Sequence, residues 1–298
     1  VVFYFLLILF WIDVHPNILI LPFNIIMEMF SANFWTGWPY NLINGNYYLS
    51  TEVPKSYLLI NLAYKSPEYV LMLYLFFVVL IFKSKKFYKS KFKFFNYKLS
   101  LIIIILIFSN LILLLIPFPI YDGMRLFLWV LPYFCIIPGL TIYYLMENIT
   151  LLKSKLTLLF LAIFIIYFLF NFLLLTPYQY TYLNFLNGKI ENRHNMFEND
   201  YWSTSLKELI EKVNFSTNEV ITISTCGASL GLAKKYFKDA GYYKVKFISS
   251  DHADYIIMTN RVTNHDGLTN CFEKFKGNDV YKVERNGLIL SVIRKIKI

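Results

Sequence analysis

Three runs of about twenty apolar residues constrain this chain more than anything else in it. Residues 99–118 read LSLIIIILIFSNLILLLIPF, 126–146 read LFLWVLPYFCIIPGLTIYYLM, and 156–175 read LTLLFLAIFIIYFLFNFLLL. A helix of that length crosses the hydrocarbon core of a bilayer and satisfies its own backbone groups on the way. A fourth run, PEYVLMLYLFFVVLIF at 67–82, is shorter and spans only with its flanks or in a thinner bilayer. Residues 1–175 are therefore read as a polytopic α-helical membrane region.

Composition marks where that region stops. The chain is 57% hydrophobic with a mean hydropathy of +0.49. Its acids are unevenly placed. Asp13, Glu28, Glu52, Glu68, Asp122 and Glu147 are the only ones before residue 176, leaving thirteen of the nineteen for 176–298. A membrane half precedes a soluble half.

Lysine sets the orientation. Residues 83–98, KSKKFYKSKFKFFNYK, hold seven lysines and no acid. By the positive-inside rule this short loop is cytoplasmic. A solvated charge run facing anionic lipid explains it better than nucleic-acid binding does. Counting spans outward puts 119–125 and everything after 175 on the outer side, with 147–156 inside. Residues 13–66 form an outer loop whose segment 17–30, NILILPFNIIMEMF, suits an interfacial helix. Trp35, Trp38, Tyr40, Tyr47 and Tyr48 follow, the residue types of a headgroup belt, and Asn44-Gly45 marks a turn. Val1–Ile12 is too short to cross alone and resembles no signal peptide. It is read as a partial span, with the expectation that further sequence precedes it.

The soluble half reads as a small extracytoplasmic α/β domain. TSLKELIEKVN (204–214) and SLGLAKKYFKDAG (229–241) have helical spacing. EVITIST (219–225), KVKFISS (244–250) and ADYIIMT (253–259) read as strands, and 277–296 as a hairpin turning at Asn286-Gly287. Strand–helix–strand order favours a partly parallel sheet. CGASLG (226–231) lacks the glycine spacing and the Lys-Ser/Thr of a nucleotide loop.

Catalytic motifs of other classes are missing from the sequence. His15, His194, His252 and His265 show no HxxxH or HExxH spacing, and D-H-A-D at 251–254, whose residue types could hold a metal, reads better as a polar loop between strands. Cys135 lies in a span. Cys226 and Cys271 both fall in the outer domain, where a disulfide is permitted and the sequence leaves the pairing open.

Four stretches carry a family resemblance. They are WPYNLINGNYY (38–48) with PKSYLLINLAYKSP (54–67), YDGMRLFLWVLP (121–132), PYQYTYLNFLNG (177–188), and FENDYWSTS (197–205). On these the chain resembles the C-terminal part of bacterial integral-membrane glycosyltransferases of the GT-C superfamily, the group related to protein O-mannosyltransferases and aminoarabinose-type lipid A transferases. The departure is that such enzymes carry an essential acidic residue in their first outer loop, which has no counterpart here. The resemblance therefore leaves the catalytic residue unknown and expected upstream of residue 1.

What the resemblance implies is transfer of a sugar from a polyprenyl-phosphate donor to an acceptor at the outer face of the cell membrane. Leaving phosphate needs preorganised cations at headgroup depth. Arg125 and Lys65 suit that task, with Asp122 orienting Arg125 or contacting the sugar. Asp200, Tyr201 and Trp202 are placed in an acceptor groove or in docking of the soluble domain. Partners are the lipid-linked sugar and membrane lipids, with no nucleic acid. No cofactor is expected, and a divalent metal is left open. Two other classes stay in view, a non-enzymatic transporter or flippase for lipid-linked sugars and a membrane-tethered binding domain. Transporters usually show paired repeats and polar, broken helices at the midplane, which these spans lack, and a binding domain leaves Asp122, Arg125 and Lys65 without a role. Donor sugar and acceptor are not legible.

Overall fold

The computed structural model describes residues 37–115, 119–215, 220–264 and 267–296, with the single positions Ile20, Phe23 and Met27. The partial span expected at 1–12 lies outside these residues, as does nearly all of the helix expected at 17–30. From residue 40 the local chemistry is direct. Asn44 and Gly45 take φ of 49° and 80°, which a two-residue hairpin turn demands. They join β1 (Tyr40–Ile43) to β2 (Asn46–Leu49) in antiparallel register.

Residues 57–65 fold as a helix, where the sequence suggests only a loop running into a span. In α1 (Tyr57–Lys65) the residues Tyr57, Leu58, Asn61 and Leu62 recur at helical spacing and form the buried face. Pro67 then disfavours helical backbone at Ser66, which is extended with ψ 146°. The chain restarts as α2 (Glu68–Lys83), bent 111° from α1. Such a break orphans carbonyls. Asn184 and Asn187 supply the missing donors: Asn184 Nδ2 donates to Ala63 O (2.6 Å) and Ser66 O (2.9 Å), and Asn187 Nδ2 to Tyr64 O (2.9 Å).

The lysine run holds a short helix, α3 (Lys85–Lys91), before α4 (Phe95–Leu115). A 3₁₀ segment, Arg125–Val130, leads into α5 (Leu131–Glu147), and α6 (Leu152–Leu174) follows. Three stretches, Phe95–Leu113, Arg125–Glu147 and Leu152–Leu174, are long and apolar enough to cross a membrane. The bent α1–α2 pair makes a fourth if it is counted as one span. Hydroxyl-to-carbonyl bonds stitch these helices together, from Tyr74 to Phe134 (2.5 Å), Thr141 to Leu73 (3.1 Å) and Tyr88 to Leu140 (3.3 Å). Lys91 pairs with Glu147 at 2.5 Å, so the lysine run sits at the end of the bundle where α5 finishes. Residues 119–125 and the segment after 175 gather at the opposite end.

The C-terminal half is a mixed α/β unit, as the strand–helix order suggests. Its sheet runs β4 (Val245–Phe247), β3 (Ile221–Cys226), β5 (Tyr255–Thr259), β9 (Leu288–Ile296), β8 (Gly277–Arg285). The first three strands are parallel, and β9 and β8 join antiparallel. Asn286-Gly287 forms their turn, with φ of 49° and 79°. Strand alternation gives the sheet two apolar faces. On one, Ile223, Ile257, Leu290 and Ile293 meet Leu209 and Ile210 of α7 (Leu206–Lys212) and Phe237 of α8 (Leu230–Asp239). Each of these side chains is wholly or almost wholly buried, stabilising the unit by roughly 1.5–3 kcal/mol apiece. Ile256, Met258 and Val292 point the other way, onto Cys226 and Cys271. Those two cysteines form a disulfide, which settles the pairing that the sequence leaves open. A small ribbon, β6 (Val262–Asn264) and β7 (Leu268–Asn270), leads to Cys271.

Candidate functional site

The hairpin at 119–125 is held by its neighbours before any ligand is considered. Asn41 Nδ2 donates to Ile120 O at 2.7 Å, and Tyr57 Oη donates to Gly123 O at 3.0 Å. Asp122 and Gly123 both take positive φ, 58° and 64°. Aspartate tolerates that region better than most residues. Glycine at 123 suits that φ, and it also lets Lys65 Nζ come close, 2.5 Å from where a Cβ would stand. The turn and the α1 lysine are built against each other.

Asp122 is 9% exposed and accepts from two arginines. Arg261 Nη1 donates to Oδ1 at 2.7 Å, and Arg125 Nη1 reaches Oδ2 at 3.3 Å. Arg261 comes from the α/β half, just past β5. Its Nη1 also lies 3.7 Å from Glu198 Oε2, while Glu198 Oε1 accepts from Val262 N at 2.9 Å. The Arg261 guanidinium covers the Trp38 ring at 4.4 Å. Gly227 leaves it room, since a Cβ at 227 would meet Arg261 Cβ at 2.6 Å. The glycine of CGASLG thus serves an arginine.

Two cations remain beside this buried knot. Arg125 is half exposed, and its guanidinium lies 5.0 Å from the centre of the Trp202 ring. Lys65 is half-buried, with Nζ 5.3 Å from the centre of the Phe197 ring. Among the described residues it has no hydrogen bond and no ion pair. Burial pushes its ammonium down to about 8, against the opposing pull of Glu198 and Asp122. Burial also pushes the Glu198 carboxyl up to about 7, with Arg261 working the other way. Each shift records the cost of a charge held out of water.

Lys65 and Arg125 share one cavity of about 730 Å³. Its polar end has Asn61, Lys65, Arg125, Tyr180, Tyr201 and Trp202. Gln179 and Thr204 also line it, and most of the rest is apolar, with Val70, Leu128, Leu131, Phe134, Phe168 and Phe172 from α2, the 3₁₀ segment, α5 and α6. Ser66 and Pro67 line it as well, so the break between α1 and α2 opens this space. Charge at one end and a hydrocarbon wall at the other match an amphiphile.

The DYW triplet divides between two duties. Tyr201 and Trp202 line the cavity, whereas Asp200 is fully buried and does not. Its carboxylate accepts from the backbone amides of Thr204 (2.8 Å) and Ser205 (3.0 Å) and from the Tyr180 hydroxyl. Through these bonds it caps the approach to α7 and holds Tyr180 at the cavity's polar end. Of the six residues singled out from sequence, Lys65, Arg125, Tyr201 and Trp202 meet in one place. Asp122 stands directly behind them.

Sequence reasoning missed Arg261, Glu198, Asn61 and Tyr180. Glu198 and Tyr180 sit inside stretches that drew attention, but nothing marked them apart from their neighbours. Arg261 follows the strand ADYIIMT with no periodic signal; only the tertiary fold brings it to Asp122. No group of three His, Cys, Asp or Glu side chains is placed to hold a metal among the described residues. No family model, curated protein or solved structure matches the chain.

Proposed function

We propose that this chain serves in a membrane glycosyltransferase that moves a sugar from a polyprenyl-phosphate donor to an acceptor hydroxyl at the outer face of the membrane. In this reading α2, α4, α5 with its 3₁₀ lead, and α6 cross the bilayer. The lysine run is cytoplasmic, and the α/β unit is outside. The cavity is then at headgroup depth, open to the isoprenoid along its apolar wall.

The observation that carries the reading is the charge at the cavity's polar end. Among the described residues, two carboxylates, Asp122 and Glu198, pair with or act on Arg125, Lys65 and Arg261, while that of Asp200 is taken up by Tyr180 and the amides before α7. The surplus cation is supplied by the cavity-lining pair, where a phosphodiester's single negative charge would restore balance. When the acceptor hydroxyl oxygen attacks the sugar carbon, the carbon–oxygen bond to phosphate breaks, the phosphate keeps the electron pair, and in the net exchange it carries off the hydroxyl proton. Lys65 and Arg125 stabilise that growing charge, the arginine as a planar fork and the lysine as a point charge. Tyr180, Tyr201 and Trp202 offer hydroxyls and a stacking face to the sugar or the acceptor.

The test is transfer from a polyprenyl-phosphate sugar by the full-length protein, wild type against Arg125→Lys at matched expression. Losing the fork while keeping the charge should lower kcat/KM about tenfold or more. Wild-type turnover and donor affinity in Arg125→Lys would end this reading.

A further inference from the structure

We infer that Arg261 is a positioning residue: by holding Asp122 from the α/β side, it keeps Arg125 available to an anion in the cavity. This rests on the phosphate-binding reading of the cavity and adds the part played by the second half of the molecule.

The hairpin alone would give a different result. Asp122 and Arg125 are three residues apart, and a carboxylate that close would ordinarily satisfy its neighbour and cancel its charge. In the structure the carboxylate turns inward instead. Its short bond, 2.7 Å, goes to Arg261, and both side chains are nearly dry at 9% and 6% exposed. The bond to Arg125 is longer, 3.3 Å, and that arginine is 48% exposed. Attraction between charges is strong where water is excluded and weak where it is not. Arg261 therefore takes most of Asp122's charge, and Arg125 is left with a loose contact and the face of Trp202.

Arg261 does not owe its position to Asp122. Trp38 lies under its guanidinium, Glu198 stands beside it, and Gly227 fits against its Cβ. Cys271 N donates to the Arg261 carbonyl at 2.9 Å, and Cys271 is tied to Cys226 by the disulfide. The arginine is thus a fixed part of the α/β unit, presented to the 119–125 turn. Remove its charge, and among the described residues Arg125 is the one cation left paired with Asp122, since Lys65 feels that carboxylate without forming an ion pair. Asp122 would close on Arg125, and any phosphate would then compete with an internal carboxylate for the same guanidinium.

Such competition has a signature that a structural role lacks: loss of Arg261 should be repaired by loss of Asp122's charge. The full-length protein is titrated with farnesyl phosphate and, as the uncharged control, farnesol. Wild type should prefer the phosphate. Arg261→Gln should lower that preference about tenfold, the scale of one charge-assisted hydrogen bond, with farnesol binding unchanged. Arg261→Lys, which still neutralises Asp122, should stay within about threefold of wild type. Arg261→Gln combined with Asp122→Asn should recover most of the loss.

The outcomes separate cleanly. No phosphate preference in the wild type removes the cavity reading and this inference with it. A wild-type preference that Arg261→Gln leaves intact removes only the role of Arg261. A loss that persists in the double variant overturns it too, since Arg261 would then act by contact or by holding the fold. Should Arg261→Gln not fold, the double variant decides, because it leaves Asp122 uncharged when the arginine is lost. A phosphate preference tenfold below wild type there overturns the inference, and one within threefold supports it.

Discussion

The two halves of this molecule differ in what they turn outward. In the α/β unit, apolar side chains go inside: Ile223, Ile256, Ile257, Leu290 and Ile293 are all at 0% exposure. In the helical half, apolar side chains cover the outside. Ile163 is 61% exposed, Ile166 66% and Phe170 63%, all on α6. Among its buried apolar side chains, such as Leu58, Leu73, Tyr88 and Val130, that half also encloses the polar groups of Asn61, Glu68, Asp122, Thr141 and Asn171. The first half resembles a protein made for water, the second one made for a hydrocarbon solvent. The ion-pair cluster of Asp122, Arg125, Glu198 and Arg261 lies where the two solvents would meet, at the seam formed by α1, the 119–125 hairpin and the loop after β5.

The sharpest way to break this comparison is topological, and its effect is all-or-none. Ser90 and Asn192 are both exposed and lie at opposite ends of the bundle. A cysteine at Ser90 should react with an impermeant thiol reagent only from the cytoplasmic side, and one at Asn192 only from outside. Labelling of both from one side would sink the orientation and the idea of an outer cavity.

The disulfide tests whether the halves are stabilised separately. It closes a loop of 45 residues within the α/β unit. Replacing Cys226 and Cys271 by serine should cost about 4 kcal/mol on the loop-entropy estimate. Amide exchange should quicken in β3, β5 and β9 and stay unchanged in α4 to α6. Equal quickening in both regions would make them one cooperative unit and erase the distinction.

Much of the fold was legible because its signals are local. Asn44-Gly45 and Asn286-Gly287 mark their hairpins, and the apolar runs mark α4, α5 and α6. Ser229 and Gly241 bracket α8, the serine accepting from Leu232 N at 3.4 Å. Helix α1 was hidden because the apolar run of 54–67 is short, and its helical period emerges only once the bend at Ser66-Pro67 is known. The site was half legible. Lys65 and Arg125 stand out as charges beside long apolar runs, which is a property of sequence. Arg261 and Glu198 are ordinary charges in an ordinary polar stretch, and their meaning comes from contacts between residues 139 and 63 positions apart. No local pattern encodes such a distance.

The same single substitution should have opposite consequences in the two halves. Ile163 lies at the middle of α6, and Val280, 42% exposed, lies on the edge strand β8. Lysine at a bilayer centre is costly, so Ile163→Lys should destabilise the protein in lipid by about 3 kcal/mol. Val280→Lys should change stability by less than about 0.5 kcal/mol, because an edge strand in water accepts lysine readily. Comparable effects from the two substitutions, measured as unfolding in nanodiscs, would show that α6 does not face hydrocarbon.

The smallest effect lies at the seam itself and turns on Lys65. Burial holds its ammonium at about 8 rather than 10.5. In the empty protein the charged form is disfavoured, so between about pH 8 and 10.5 the unfolded chain binds the extra proton. Stability from this group therefore rises with pH across that window. Anion binding has the opposite sign. A phosphate gains from Lys65 only while it is protonated, so affinity should fall as pH rises through 8, by up to about tenfold per unit. An ordinary surface lysine would show no such fall until above pH 10. Farnesyl phosphate titrated from pH 7 to 9.5 should thus weaken, while farnesol should not, and Lys65→Gln should flatten the phosphate profile at a lower affinity. Arg125 stays charged throughout and sets the residual binding. A flat wild-type profile would place Lys65 outside the anion's reach and reduce its role to packing against Phe197 and the turn at Gly123.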